Sequence, residues 1–208
     1  MQSILIVDDH PVIRLGVRMI LENEGYNVVG ESDNGADAMR LIRDHMPDLI
    51  ILDIGIPKLD GLECLTRFNS MQLPAKVLIL TAQAPALFAI RCMQSGAAGY
   101  VSKRECLSEL LSAIKAVLAG YNYFPSEAVS QPRGSAQQVR EIERFQEVND
   151  RELMVLQLFA QGRSNRDIAD GMFLSSKTVS TYKKRLMHKL EVGSLVELIE
   201  MAKRNALI

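Results

Sequence analysis

The chain has 208 residues, 48% of them hydrophobic and 24% charged, with a formal net charge of −1 at pH 7. That length exceeds one domain of ~100 to 150 residues and predicts two, and no apolar run approaches the ~20 residues that a membrane span requires. The near-neutral total hides a division: residues 1–120 hold 11 basic against 14 acidic side chains, a balance of −3, and residues 145–208 hold 10 against 8, a balance of +2.

The first residues lack the basic start and long apolar stretch of a signal peptide, which predicts a cytoplasmic protein. Over residues 1–120, β-type runs at 4–7, 27–30, 49–52, 76–80 and 99–101 alternate with helical patterns at 12–22, 36–45, 62–69, 86–95 and 107–118. Five such repeats predict an α/β fold, a flavodoxin-like doubly wound five-stranded parallel sheet, because parallel strands need helical crossovers that cover both faces. Cys64, Cys92 and Cys106 show no Cys-x-x-Cys spacing and read as reduced core thiols.

From Gly120 the pattern breaks. Pro125, Pro132, Gly134 and the polar "SAQQ" predict a linker over 121–145, with a short amphipathic helix near 139–145. Residues 146–208 read as a small all-α domain. Asn149 with Glu152 forms a capping box for a helix to residue 160, ended by Gly162; Ser164, Ser175 and Ser194 cap three more, at about 165–172, 176–190 and 195–204.

In open parallel sheets ligands bind beyond the carboxyl ends of the strands. Asp8 and Asp9 follow the first strand, Asp53 the third, Thr81 the fourth, and Lys103 lies just past the fifth. Three carboxylates brought together require a cation, and oxygen ligation with spare water positions suits Mg²⁺. Pro57 and Gly61 are expected to shape the loop after the third strand, and Asp60 to cap the next helix.

The blocks "VDDHP", "LDIGIPKLDG", "LTA" and "YVSK", in order over residues 3 to about 119, resemble bacterial response-regulator receiver domains. The resemblance implies that Asp53 accepts a phosphoryl group from a sensor histidine kinase or a phosphotransfer domain. It implies Mg²⁺ held by Asp9 and Asp53, by Asp8 largely through water, and by the main-chain carbonyl of Gly55. Thr81 and Lys103 would bind the phosphoryl group, and Tyr100 would be the switch aromatic that turns inward as Thr81 moves. Arg104 stands where many receivers carry a cis proline, so a trans bond is expected there.

Residues 175–190, "SSKTVSTYKKRLMHKL", carry Lys177, Lys183, Lys184, Arg185 and Lys189 with no acid. Val179, Tyr182, Leu186 and Leu190 follow helical spacing and should face inward, leaving the cations outside. With the preceding short helix and the "GMFLSS" turn, this reads as a helix-turn-helix whose second helix is expected to enter the DNA major groove. The block from Gly162 to Leu190 resembles the LuxR-type output domain, so the chain is similar to NarL/FixJ-type response regulators, and within them to the BvgA/EvgA-like virulence group. This implies contacts to double-stranded promoter DNA from Lys177, Thr178, Ser180, Thr181 and Lys184 in the groove, with Lys183 and Arg185 nearer phosphates. Ser180 and Tyr182 replace the family's usual Lys and His, so base preference does not carry over.

In the last helix Leu195, Leu198, Ile199 and Ala202 form one stripe, which Val196 and Met201 widen. A second copy, meeting Leu195, Val196 and Ile199, would cover the excess. The expectation is a phosphorylation-gated transcription factor that forms a homodimer on activation, with RNA polymerase a further candidate partner. The receiver could pair through its first and fifth or its fourth and fifth helices. Two rivals stand beside it: a degenerate receiver on a phosphorylation-independent DNA binder, and a haloacid-dehalogenase-like phosphatase, which would carry a second acid where Gly55 stands.

Overall fold

The computed structural model of the chain describes residues 1–56, 61–71, 73–83, 85–126, 141, 144–145 and 147–204. They fall into two compact units, Met1–Val129 and Ser130–Ile208. The first alternates β1 (Ser3–Val7), α1 (Pro11–Asn23), β2 (Asn27–Ser32), α2 (Gly35–His45), β3 (Leu49–Leu52), α3 (Gly61–Ser70), β4 (Lys76–Thr81), α4 (Pro85–Gln94), β5 (Gly99–Ser102) and α5 (Leu107–Leu118). All pairings are parallel, in the order β2-β1-β3-β4-β5. This is the expected doubly wound sheet.

The unbroken apolar runs "ILIV" and "LIIL" go to the centre because helices cover both faces there. Ile4, Ile6, Leu49, Ile51, Leu78 and Leu80 form one core with Val17, Leu21, Leu110, Ile114 and Val117. The alternate residues Leu5, Ile50 and Ile79 are buried on the opposite face. Each such side chain contributes ~1.5–3 kcal/mol when buried, which is why the polar residues are confined to strand ends. Gly61 opens α3 where a Cβ would run into the Asp53 carbonyl and the Ile54 backbone, so only glycine lets α3 approach β3 this closely. Pro57 and Asp60, assigned to the same loop, lie outside the described residues.

Two expectations for the first unit are corrected. The sheet does not stop before the expected linker: Tyr123 bridges to Gly99, its carbonyl accepting from Tyr100 N at 2.7 Å and its amide donating to Ala98 O at 3.0 Å. The outer edge of β5 has donors and acceptors to satisfy, and the chain after α5 supplies them. The Tyr123 hydroxyl donates to Glu109, and that carboxylate pushes its pKa up to about 12. Cys64 and Cys92 are buried as expected, but Cys106 is exposed, because it sits at the N-terminal cap of α5 rather than on its inner face. The peptide bonds of the described residues are trans.

The second unit contains α6 (Asp150–Ala160), α7 (Asn165–Gly171), α8 (Ser176–Lys189) and α9 (Leu195–Arg204). The Asn149–Glu152 capping box forms, and Gly162, at φ +79°, takes the left-handed turn after α6 that other residues resist. Leu153, Val155, Phe159, Ile168, Val179, Leu186, Leu190 and Leu198 are buried together with Phe145 and Val148. Of the short helix expected near 139–145, Glu141, Arg144 and Phe145 are helical and the rest lies outside the described residues. Met201, expected to widen an exposed arc, is buried instead. No helix among the described residues is long and apolar enough to cross a membrane.

Candidate functional site

Strand registry assembles the first site. Asp53 N donates to Val7 O at 2.8 Å, Asp8 N to Ser32 O at 3.0 Å, and Lys103 N to Thr81 O at 2.8 Å. The carboxyl ends of β1, β3, β4 and β5 therefore deliver Asp8, Asp53, Thr81 and Lys103 to one pocket. Asp8, Asp53 and Thr81 are all buried. Lys103 Nζ lies 2.6 Å from Asp8 Oδ2 and 2.6 Å from Asp53 Oδ2. Asp53 Oδ1 accepts from the Gly55 amide at 3.0 Å, so this glycine holds the central carboxylate with its N–H.

Three acids face one ammonium, and the imbalance shows in the protonation equilibria. Burial raises the Asp9 carboxyl; the charges of Asp53 and Asp8 push it further up, against the pull of His10 and Lys103. Burial depresses Lys103, but Asp53 and Asp8 outweigh it and hold the ammonium charged. Asp8 Oδ2 meets the Lys103 ammonium at 2.6 Å and Asp9 Oδ1 meets His10 Nδ1 at 2.7 Å, so three carboxylates share one ammonium and one imidazole. Such a cluster is costly unless a cation satisfies it. Atoms from Asp8, Asp9, His10 and Asp53 lie within 4.8 Å of one another, so hard oxygen donors converge as an Mg²⁺-sized dication requires.

Two residues at this pocket were missed from the sequence. His10 joins the cluster, although the visible signal there was Pro11 at the first position of α1, which marks a helix start. Arg14 Nη1 donates to Asp8 O at 2.6 Å and its Nε lies 3.2 Å from Glu31 Oε2, fixing the backbone beneath the acids. Its place one turn into α1 gave no signal.

Thr81 and Tyr100 meet through Gln83. The Gln83 amide donates to Thr81 Oγ1 at 3.4 Å, and the Gln83 carbonyl accepts from the Tyr100 hydroxyl at 2.8 Å. Tyr100 is 1% exposed, so its ring is already inside in this structure. Burial, reinforced by Cys92 and Asp53, drives its hydroxyl far above the usual phenol range.

The second site is α8. Ser175 Oγ accepts from Thr178 N at 3.0 Å and starts the helix, while Val179, Leu186 and Leu190 anchor its inner face. Lys177, Thr181, Lys184 and Arg185 are exposed along one side. The other expected contacts are partly engaged inside the unit. Ser180 Oγ accepts from Asn165 Nδ2 at 3.0 Å and donates to Ser176 O at 2.9 Å. Lys183 Nζ stands 6.0 Å over the Phe159 ring, and Thr178 shares a 2.8 Å hydroxyl contact with Ser175. Lys189, expected outside, reaches back to the buried Glu152 at 2.7 Å. In the turn before α8, Phe173 takes φ +55° and is 72% exposed. On α9, Val196 is exposed, whereas Leu195 and Ile199 are half-buried.

Comparison with known proteins follows the same division. Residues 4–115 match the response regulator receiver domain family, and residues 148–202 match the luxR family of bacterial regulatory proteins. The chain is 56% identical to BvgA, the positive transcription regulator of virulence factors in Bordetella pertussis, over 99% of this chain and 98% of that one. It is 34% identical to EvgA, a DNA-binding transcriptional activator of Escherichia coli K12, over 97% of each chain. Among solved structures, it resembles RcsB from Salmonella enterica serovar Typhimurium bound to promoter rprA with the phosphomimetic BeF3−. The TM-score is 0.58 at 26% identity, covering 97% of this chain and 98% of that one.

Proposed function

The chain belongs to the response regulators that join a receiver domain to a LuxR-family DNA-binding domain, and from that premise we propose that phosphorylation of Asp53 governs its dimerisation and sequence-specific promoter binding. The observation that carries this reading is the convergence of Lys103, Asp8 and Asp53 at 2.6 Å beside Thr81. The phosphoryl donor is a sensor histidine kinase or a phosphotransfer domain. Acting on chromosomal DNA, the protein works in the cytoplasm, and its chemistry is at most self-catalysed phosphoryl transfer to Asp53 and autodephosphorylation.

Phosphoryl transfer demands positioning and charge neutralisation more than covalent assistance. An Asp53 carboxylate oxygen attacks phosphorus as the bond to the donor's imidazole nitrogen breaks, and the freed imidazole takes up a proton. Lys103 holds Asp53 in place and offers its ammonium to the incoming phosphoryl oxygens. Asp8, Asp9, Asp53 and the Gly55 main chain would hold Mg²⁺, which when bound neutralises the charge gathering on those oxygens.

Modification adds about one negative charge and three acceptors to Asp53. The Thr81 hydroxyl then has a stronger acceptor than any it meets in this structure, and turning toward it breaks the weak 3.4 Å bond from Gln83 N. Gln83 also holds the Tyr100 hydroxyl, so the change passes to the β5 side of the unit through one residue. With Tyr100 already buried, the switch resides in the 81–83 segment rather than in entry of the ring.

Lys177, Thr181, Lys184 and Arg185 face the DNA. Ser180 instead sets the angle between α7 and α8 through Asn165, and Lys183 divides its reach between phosphate and Phe159. Each half of a dimer is a modest binder, and pairing raises apparent affinity ~10² to 10⁴-fold by making the second contact intramolecular. Leu195, Val196 and Ile199 are the proposed meeting surface of the output units.

The test is sedimentation and operator binding of the full chain before and after acetyl phosphate with Mg²⁺, on DNA recovered by genome-wide occupancy. The unmodified chain should sediment as a monomer. The modified chain should sediment as a dimer and bind at least ~10²-fold more tightly. Equal mass and equal affinity in both states would replace this reading with the phosphorylation-independent one.

A further inference from the structure

The chain does not leave the first unit freely after α5. Gly120, at φ +97°, turns it back, with Gly120 N donating to Val117 O and Tyr121 N to Ala116 O, each at 3.0 Å. The next residues run parallel to β5, and Tyr123 is bonded to its edge twice: its amide donates to Ala98 O at 3.0 Å, and its carbonyl accepts from Tyr100 N at 2.7 Å. Gly99, the residue between, leaves room for this strap. A Cβ there would stand 3.0 Å from the Tyr123 carbonyl and 2.7 Å from Leu78 Cδ1. The Tyr123 side chain is half-buried against the core of the sheet, and its hydroxyl donates to Glu109 on α5.

Tyr100 takes part in two contacts at once. Its amide holds the strap, while its hydroxyl donates to Gln83 O at 2.8 Å, and Gln83 N donates to Thr81 Oγ1 at 3.4 Å. Thr81, Gln83, Tyr100 and Tyr123 therefore form one chain of hydrogen bonds from the acidic pocket to the first residues after α5. Two main-chain bonds and one phenol–carboxylate bond hold the strap, whereas β5 is held to β4 by a full ladder from Gly99 to Ser102. A displacement of Tyr100 opens the strap before it disturbs the sheet.

We propose that residues 121–123 are an autoinhibitory strap: docked on β5, they hold Tyr100 and Gln83 in the arrangement without phosphate, and phosphorylation of Asp53 releases them. The inference rests on the phosphorylation reading of Asp53. Release adds residues 120–123 to the tether of the DNA-binding unit, ~13 Å at ~3.3 Å each, and so widens the spacing that two paired units can span. Coupling between two sites is reciprocal, so loosening the strap must also favour the phosphoryl-bound form.

The test uses the full chain and its Tyr123→Phe variant, which loses the bond to Glu109 and keeps the ring against the core. Hydrogen exchange resolved by nuclear magnetic resonance at the Tyr100 and Tyr123 amides reads the strap, with and without beryllofluoride and Mg²⁺ as the phosphoryl analogue. In the wild type both amides should exchange at least ~10-fold faster with the analogue bound, while the Ala98 amide, bonded to Val77 O inside the sheet, keeps its rate. Tyr123→Phe should exchange ~10-fold faster at both amides without the analogue and bind the analogue about 5-fold more tightly. Unchanged or slower exchange in the wild type with the analogue on Asp53 overturns the proposal and leaves the proposed function standing, as does a variant whose strap opens while its analogue affinity stays the same. If the strap of the variant stays closed, the wild-type exchange decides alone. No binding of the analogue at Asp53 removes the proposed function, and the trigger of the strap with it.

Discussion

Full-length Asp53→Asn, treated with acetyl phosphate and Mg²⁺, should stay monomeric and bind its operator with the affinity of the unmodified wild type. The expected loss is the entire phosphorylation-dependent gain, at least ~10²-fold in apparent affinity. The reason is chemical. A carboxamide cannot form the mixed anhydride, and none of the neighbouring carboxylates is placed to substitute for it. Asp8 is buried and paired to Lys103, while Asp9 sits at the crowded mouth with its carboxyl raised by burial. Asp53 alone combines the amide of Gly55 on one oxygen with Lys103 on the other. Folding should survive the exchange, since an amide is nearly isosteric and removes one of three mutually repelling acids. Circular dichroism of the variant checks that point, and sedimentation with operator titration checks the rest.

The second large effect belongs to the output unit. Glu152 is 1% exposed and serves twice: its Oε2 accepts from Asn149 N at 3.1 Å and meets Lys189 Nζ at 2.7 Å. Lys189 also donates to Glu147 O at 3.0 Å, so it ties the end of α8 to the start of α6. Replacing it by methionine preserves the apolar stem and removes the charge, leaving a carboxylate buried without its cation. Breaking a buried pair from one side costs about 3–5 kcal/mol. For a unit of this size that lowers the melting temperature of the second unit by more than about 10 °C. The double variant Glu152→Gln/Lys189→Met should recover part of the loss, because the stranded charge is gone. Thermal melts of the three full-length chains measure both effects, and equal melting of wild type and Lys189→Met would show the pair to contribute nothing.

Lys189 also shows where sequence reading stops. A run of cations on one helix reads as an exposed basic face, and for Lys177, Lys184 and Arg185 the structure agrees. For Lys183 and Lys189 the partners are Phe159 and Glu152, both on α6, and no pattern within α8 could reveal them. Ser180 is the same case, with its partner Asn165 at the start of α7. The parallel sheet was legible because continuous apolar runs and the helical period are local signals, and strand ends follow from them. The convergence of Asp8, Asp53, Thr81 and Lys103 then required only that ligands gather at those ends.

What was not legible depends on geometry finer than topology. Tyr123 pairs with the β5 edge because unsatisfied backbone groups lie there, while its flanking Gly120 and Pro125 advertise a linker. The family resemblance singled out Tyr100, but that its ring is already buried with its hydroxyl on the Gln83 carbonyl could not be read from the sequence. His10 was hidden by its own neighbour, since the His-Pro pair reads as the entry to a helix.

Peptide mapping by mass spectrometry of the full chain, after reaction with a phosphodonor in Mg²⁺ and in excess chelator, tests the central claim most directly. The account predicts one added phosphate, on the peptide containing Asp53, in the presence of the dication and little or none without it. Phosphate at another residue, equal labelling under chelation, or no labelling with either acetyl phosphate or a cognate kinase would contradict it.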